Sequence, residues 1–118
     1  MKKQIKQIQE FESSFNIDPS NQSASTKHTI LLEELDEYLD AAKNNDQIEI
    51  ADAIGDILYI AFGLVTKHQL EDKIEAVFDE IHRSNMSKLD ADGLPILRKD
   101  GKILKGPDYF KPNIAKYL

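Results

Sequence analysis

Six carboxylates stand close together near the middle of this chain: Glu33, Glu34 and Glu37, then Glu49, Asp52 and Asp56. Clustered carboxylates with no thiolate or imidazole among them favour hard cations, Mg²⁺ first and Mn²⁺ as the alternative. A ferritin-like di-iron centre would need a Glu-x-x-His pair. No histidine follows any of these acids at that spacing, since His28, His68 and His82 lie elsewhere. Magnesium keeps several of its waters and binds through carboxylates together with substrate phosphates, so the cluster points to phosphoryl or pyrophosphoryl chemistry.

Two helices must present these acids. On a wheel of about 100° per residue, the helix carrying the first group has Leu31, Leu35, Tyr38, Leu39 and Ala42 as its main apolar face, with Asp36, Asp40 and Lys43 opposite. Glu34 and Glu37 fall on neither face. They share a strip with Ile30 and Ala41 at the apolar edge, Glu33 lies just beside it, and the spacing lets Glu34 and Glu37 grip one ion. In the next helix Glu49, Asp52 and Asp56 occupy a sector of about 60°, and nearly all the rest is apolar. A helix of that kind is expected at the centre of an assembly, its acid stripe turned toward something other than bulk water. If the two helices pack antiparallel, Glu34 and Glu37 meet Glu49 and Asp52.

Blander readings compete. Glu33, Glu34 and Glu37 also fit a solvated helix face. Asp46-x-x-Glu49 has the spacing of a capping box, so Glu49 also fits a helix N-terminus. Asp52 and Asp56 lie deeper inside the apolar helix, where an unpaired acid is costly.

The periodicity predicts helices over residues 2–15, 27–43, 47–67 and 69–88, with a polar loop from Asn16 to Thr26. Asp46 is the expected N-cap of the third. Beyond residue 88, Asp100-Gly101 separates two short apolar runs, a hairpin signal, and a tail with two prolines follows. We therefore expect an all-α protein: an antiparallel bundle of four to five helices in one domain spanning 1–118, with a body over about 2–88 and a hairpin and tail over about 89–118. Tyr38, Tyr59, Phe62 and Phe78 are expected in its core.

The chain has 118 residues, enough for one domain, and a net charge of −6. That charge disfavours nucleic acid and anionic lipid as partners. Ile48 to Val65 approaches the length of a membrane span, but its acids argue against insertion. The absence of cysteine excludes disulfides and fits a cytoplasmic location. No P-loop sequence is present.

The ordered set Glu33, Glu34, Glu37, then Glu49 and Asp52, resembles the EE-x-x-E and E-x-x-D signature of the all-α nucleoside triphosphate pyrophosphohydrolases, which include MazG-like enzymes, phosphoribosyl-ATP pyrophosphatases and dimeric dUTPases. HRSNMSKLDADG (82–93) and DGKILKGPDYFKPNI (100–114) also resemble the C-terminal part of small MazG-like proteins. The likeness covers about Ile30 to Ile114.

The resemblance implies that Glu34, Glu37, Glu49 and Asp52 are metal ligands, with Asp56 binding a second ion or supporting the first. It implies that Glu33, the leading acid, holds a further metal or orients water, and that Asn85, Lys88, Lys105 and Tyr109 lie near the substrate; one acid, Glu33 or Glu37, is expected to take the proton from water. Basic groups at a helix C-terminus, as at His82, Arg83 and Lys88, also complement the helix dipole. The implied reaction splits a nucleoside triphosphate between its α and β phosphates, giving the monophosphate and pyrophosphate. The implied assembly is a homodimer or homotetramer whose sites draw on more than one subunit. Two alternatives stand beside this: a non-catalytic helical oligomerisation or binding module with a structural cation, and a phosphoribosyl-ATP pyrophosphatase, a branch that the NMSK and KGPxY segments fit less well.

Overall fold

A computed structural model describes residues 1–118. Four helices form, α1 (Lys2–Ser14), α2 (Ala24–Lys43), α3 (Gln47–Lys67) and α4 (Ile74–Met86), with 3₁₀ turns at Pro19–Asn21 and Ile114–Tyr117 and no strand. The protein is all-α. The chain divides into two compact units, Met1–Asp72 and Lys73–Leu118.

In the first unit each helix stops in the same way. Asn16, Asn45 and Gln69 take a left-handed backbone just past α1, α2 and α3. The next amide then reaches back over the last turn: Ile17 N to Glu12 O, Asp46 N to Ala41 O and Leu70 N to Val65 O, at 2.7, 3.1 and 3.0 Å. These bonds satisfy carbonyls that the helix itself leaves open. Helix starts are also set by side chains. Ser23 Oγ accepts from Thr26 N at 3.4 Å and begins α2 at Ala24, three residues earlier than periodicity alone suggests. Asp46 Oδ1 accepts from Glu49 N at 3.1 Å and begins α3.

The tight turn after α2 makes α2 and α3 an antiparallel pair. Helix α1 follows α3 in the same direction: Gln4 and Ile8 share a hollow with Gly55 and Phe62, and Glu12 meets Thr66 near both C-termini. The longer connection, with its 3₁₀ turn against α3, permits that arrangement. Ile5, Ile8, Ala41, Ala53 and Val65 are the buried apolar residues of this unit.

Ala41 marks the side of α2 that is covered, and Glu34 lies on that side. The main apolar face is elsewhere. Leu35, Tyr38 and Leu39 are exposed, as are Ile54 and Leu58 of α3. Tyr38, Tyr59 and Phe78, expected in the core, are 40%, 44% and 58% accessible, while Phe62 is half-buried. For Tyr38 the reason is geometric: α2 uses its carboxylate edge, not its widest apolar stripe, to meet α3.

The second unit is organised by Glu80. Its side chain, 2% accessible, receives Arg83 Nε and Nη2 at 2.9 and 3.0 Å and Asn113 N at 2.9 Å. Arg83 also stacks over the Phe110 ring, 4.3 Å from its centroid. Ser84 Oγ donates to Phe110 O at 2.8 Å, and Phe110 N donates to Ser87 Oγ at 3.2 Å. Helix α4 begins only at Ile74, since residues 71–73 form turns. The hairpin exists as one antiparallel bridge, Leu97 to Ile103, closed at Gly101 with φ 87°.

Candidate active site

The α2–α3 hairpin sets the carboxylates of the two helices side by side. Antiparallel packing through a short turn pairs the far part of α2 with the middle of α3, so Glu34 comes opposite Asp56 and Asp52. The electrostatics report that approach directly. Glu34's carboxyl is pushed up to about 7, first by desolvation and then by the Glu37 carboxylate beside it, with Asp56 and Asp52 adding repulsion across the hairpin. Its Oε2 atom is enclosed and has no hydrogen-bond partner. An enclosed acceptor of that kind costs free energy until a proton or a cation meets it.

Nearer the turn, Glu37 and Glu49 line a hollow of about 370 Å³ with Asp40 and Asp46. The cap bond from Glu49 N to Asp46 anchors the start of α3 there. Glu33 is exposed on α2. Glu37, Glu49 and Asp52 are exposed and Asp56 is half-buried. As placed, no three Asp, Glu or His side chains converge closely enough to hold a metal ion. The donors nonetheless suit a hard divalent cation: all are carboxylate oxygens, Glu34 Oε2 is unpartnered, and most of the side chains are free to rotate.

The other four candidates lie in the second unit. Asn85 is exposed near the end of α4, and Lys88 is half-buried just beyond it. Lys105 Nζ sits over the Tyr109 ring, 4.8 Å from its centroid, so these two are partners of each other. Gly106 passes so close to the helix end that a Cβ there would lie 2.7 Å from Lys88 O and nearer still to Leu89 O. That contact explains the glycine of the KGP segment.

Two features escaped the sequence reading. Glu80 reads as an ordinary acid of an exposed helix, because its partners Asn113 and Tyr117 are remote in sequence. The second is a cavity of about 280 Å³ between α1, α2, α3 and the Asn16–Ser23 connection. Gln22 lines it, with an enclosed Oε1 that lacks a partner.

Two carboxylate-bearing helices in an antiparallel pair, within an all-α chain, define a helical protein with an acid cluster between two of its helices. Comparison with family models matches residues 2–85 to the family described as phosphoribosyl-ATP pyrophosphohydrolase. The chain belongs to that family, within the all-α nucleoside triphosphate pyrophosphohydrolase superfamily of MazG-like proteins. The family hydrolyses a phosphoanhydride bond in a nucleotide. The match takes in α1, α2, α3 and most of α4, whereas residues 86–118 fall outside it. No curated protein sequence matches the chain.

Proposed function

We propose that this protein is a divalent-cation-dependent pyrophosphohydrolase that cleaves a nucleoside or deoxynucleoside triphosphate to the monophosphate and pyrophosphate. One observation carries the reading: in a chain of this family, half-buried Glu34 has an enclosed, unpartnered Oε2 and is set against Glu37, Asp52 and Asp56. A triphosphate and an acid cluster repel each other, so a cation between them is required by charge alone. Glu34, Glu37, Glu49 and Asp52 would hold Mg²⁺ or Mn²⁺, with Asp56 supporting them or holding a second ion. When bound, the ion supplies charge neutralisation at the phosphate oxygens and lowers the pKa of its water.

The chain's own residues do the rest. Glu37 or Glu33 accepts the proton of the attacking water. Glu33, exposed on α2, is free to fill that role from the solvent side. Asn85 and Lys88, with Lys105 and Tyr109 as the weaker pair, are proposed to contact the polyphosphate or sugar. The exposed apolar residues Leu35, Leu39, Ile54 and Leu58 support a homodimer or homotetramer that covers them. No helix is long and apolar enough to cross a membrane.

The family description itself favours a second reading, phosphoribosyl-ATP as the substrate. One experiment separates the two. Pyrophosphate release is measured on a panel of canonical and modified triphosphates and on phosphoribosyl-ATP, with Mg²⁺ or Mn²⁺ and with EDTA. Glu37→Ala and Asp52→Ala should each lower turnover at least about a hundredfold, since even residues that only support a metal ligand cost 10–100-fold. Turnover of phosphoribosyl-ATP alone would replace the first reading by the second. Absence of turnover throughout, with Mg²⁺ still raising the melting temperature, would make the cluster a structural cation site.

A further inference from the structure

We infer that Ser84 and Ser87 are positioning residues: by gripping both backbone polar groups of Phe110 they fix where Lys105 stands beside Lys88, and so set the polyphosphate affinity of that pair. The inference rests on the pyrophosphohydrolase reading, which takes Lys88 and Lys105 as substrate contacts, and names what holds them in place.

The tail runs back along α4. Gly106 lies against the Lys88 and Leu89 carbonyls, Phe110 against Ser84 and Ser87, and Asn113 against Glu80. The order is antiparallel, and the Gly106 passage is so close that a Cβ does not fit. Lys105 precedes that glycine directly, so the backbones of Lys88 and Lys105 come side by side at the crossing.

The grip on Phe110 has one sense only. Ser84 is 2% accessible, and its Oγ donates to Phe110 O at 2.8 Å. Ser87 Oγ gives its hydrogen to Ser84 O at 2.6 Å, which leaves its lone pairs to accept from Phe110 N at 3.2 Å. A slipped segment would leave a half-buried carbonyl and amide unmatched, at the cost of desolvating both. Arg83 stacks on the Phe110 ring and is itself held by Glu80, so it braces the segment rather than standing free for a ligand. From Phe110 the effect passes to its neighbour. Tyr109 N donates to Gly106 O at 3.3 Å, closing a turn in which the Tyr109 ring seats Lys105 Nζ. A seated lysine loses less freedom when it meets an anion.

The two lysines have no anionic partner. Lys88 is half-buried, Lys105 is exposed, and neither forms an ion pair. Asp90, close to Lys88 in sequence, spends Oδ1 on Asp92 N and Leu94 N, both at 2.9 Å. Asp108, inside the turn, forms no ion pair either. Cations carried on one crossing repel each other, and an anion with several oxygens relieves that repulsion through charge-assisted hydrogen bonds.

Calorimetric titration of the full chain with inorganic tripolyphosphate in EDTA reads this pair apart from catalysis. Lys105→Ala should weaken binding about tenfold or more, as expected for one charge-assisted contact. Ser87→Ala should weaken it about threefold or more with the melting temperature retained. In the Lys105→Ala background Ser87→Ala should cost nothing further, because the serine acts through the lysine. Ser84→Ala should follow the same pattern, and half-buried Ser87 supplies the reading if the Ser84 variant unfolds. Unchanged affinity in a folded serine variant, additive losses in the double variant, or no tripolyphosphate binding by the wild type would overturn the assignment. The expected pattern with no hydrolysis of any triphosphate would leave the positioning role standing and remove the pyrophosphohydrolase reading. Hydrolysis with a KM that Lys105→Ala raises and Ser87→Ala does not would remove the positioning role alone.

Discussion

Asp56 of α3 stands across the hairpin from Glu34 of α2, near enough that its charge, with those of Glu37 and Asp52, helps to raise the Glu34 pKa. Acids brought together in this way hold the fold under electrostatic load until a proton or a cation relieves it.

The first consequence is a pH dependence. Glu34 titrates at about 7 in the fold, above the ordinary carboxylate range that the unfolded chain retains. The folded state therefore binds the extra proton. This group's contribution to stability is fully present below the ordinary range and is lost as pH rises through the folded value. In EDTA the thermal midpoint should fall between about pH 5 and about pH 8. Glu34→Gln should flatten that fall and raise the midpoint at the alkaline end. A slope unchanged in the variant would place the titration elsewhere.

Metal affinity should show the opposite dependence. A cation must displace the Glu34 proton, so stabilisation by Mg²⁺ should weaken as pH drops below about 7. Midpoint shifts at saturating Mg²⁺, measured across that range for wild type and Asp52→Ala, check it. The variant should lose most of the shift at every pH.

The second unit should respond to acid in the reverse sense. Arg83 first, then the Asn113 amide, hold the Glu80 carboxyl below its usual range. Its stabilisation is present above the ordinary carboxylate range and lost as pH falls through the depressed folded value. Glu80→Ala should free residues 110–118 to proteolysis at neutral pH, which mass spectrometry of the fragments would show. Glu80→Gln should give partial protection, because it keeps one acceptor for Asn113 N.

Gly106→Ala should destabilise by about 1–3 kcal/mol in urea titration, the usual cost of overpacking. The added methyl would press on the Lys88 and Leu89 carbonyls. An effect near zero would show that this close passage relaxes freely.

Asp46→Ala should cost about 1 kcal/mol, the ordinary value of a lost N-cap. It removes the acceptor for Glu49 N and so loosens the first turn of α3. Turnover should fall with it if Glu49 is a ligand, and Asp46→Asn should restore both.

Much of this was legible along the chain. Asp46 as a cap and the long apolar run of α3 are local properties, because capping and periodicity act within a few residues. The helical spacing of Glu34 and Glu37, and of Asp52 and Asp56, was likewise fixed by the rise of the helix. Which side of α2 meets α3 was not local. Leu35 and Leu39 read as the main apolar face of α2 and stand exposed, while Glu34 is drawn against its neighbour, since the short turn and antiparallel register decide which strip is covered. Glu80 was silent for the same reason. Its chemistry lies in what a remote residue brings to it, the Asn113 amide. Residue types and spacing sufficed to state that the chain is helical and concentrates carboxylates. Desolvation, pairing and enclosure depend on distance through space, and only the folded packing supplies it.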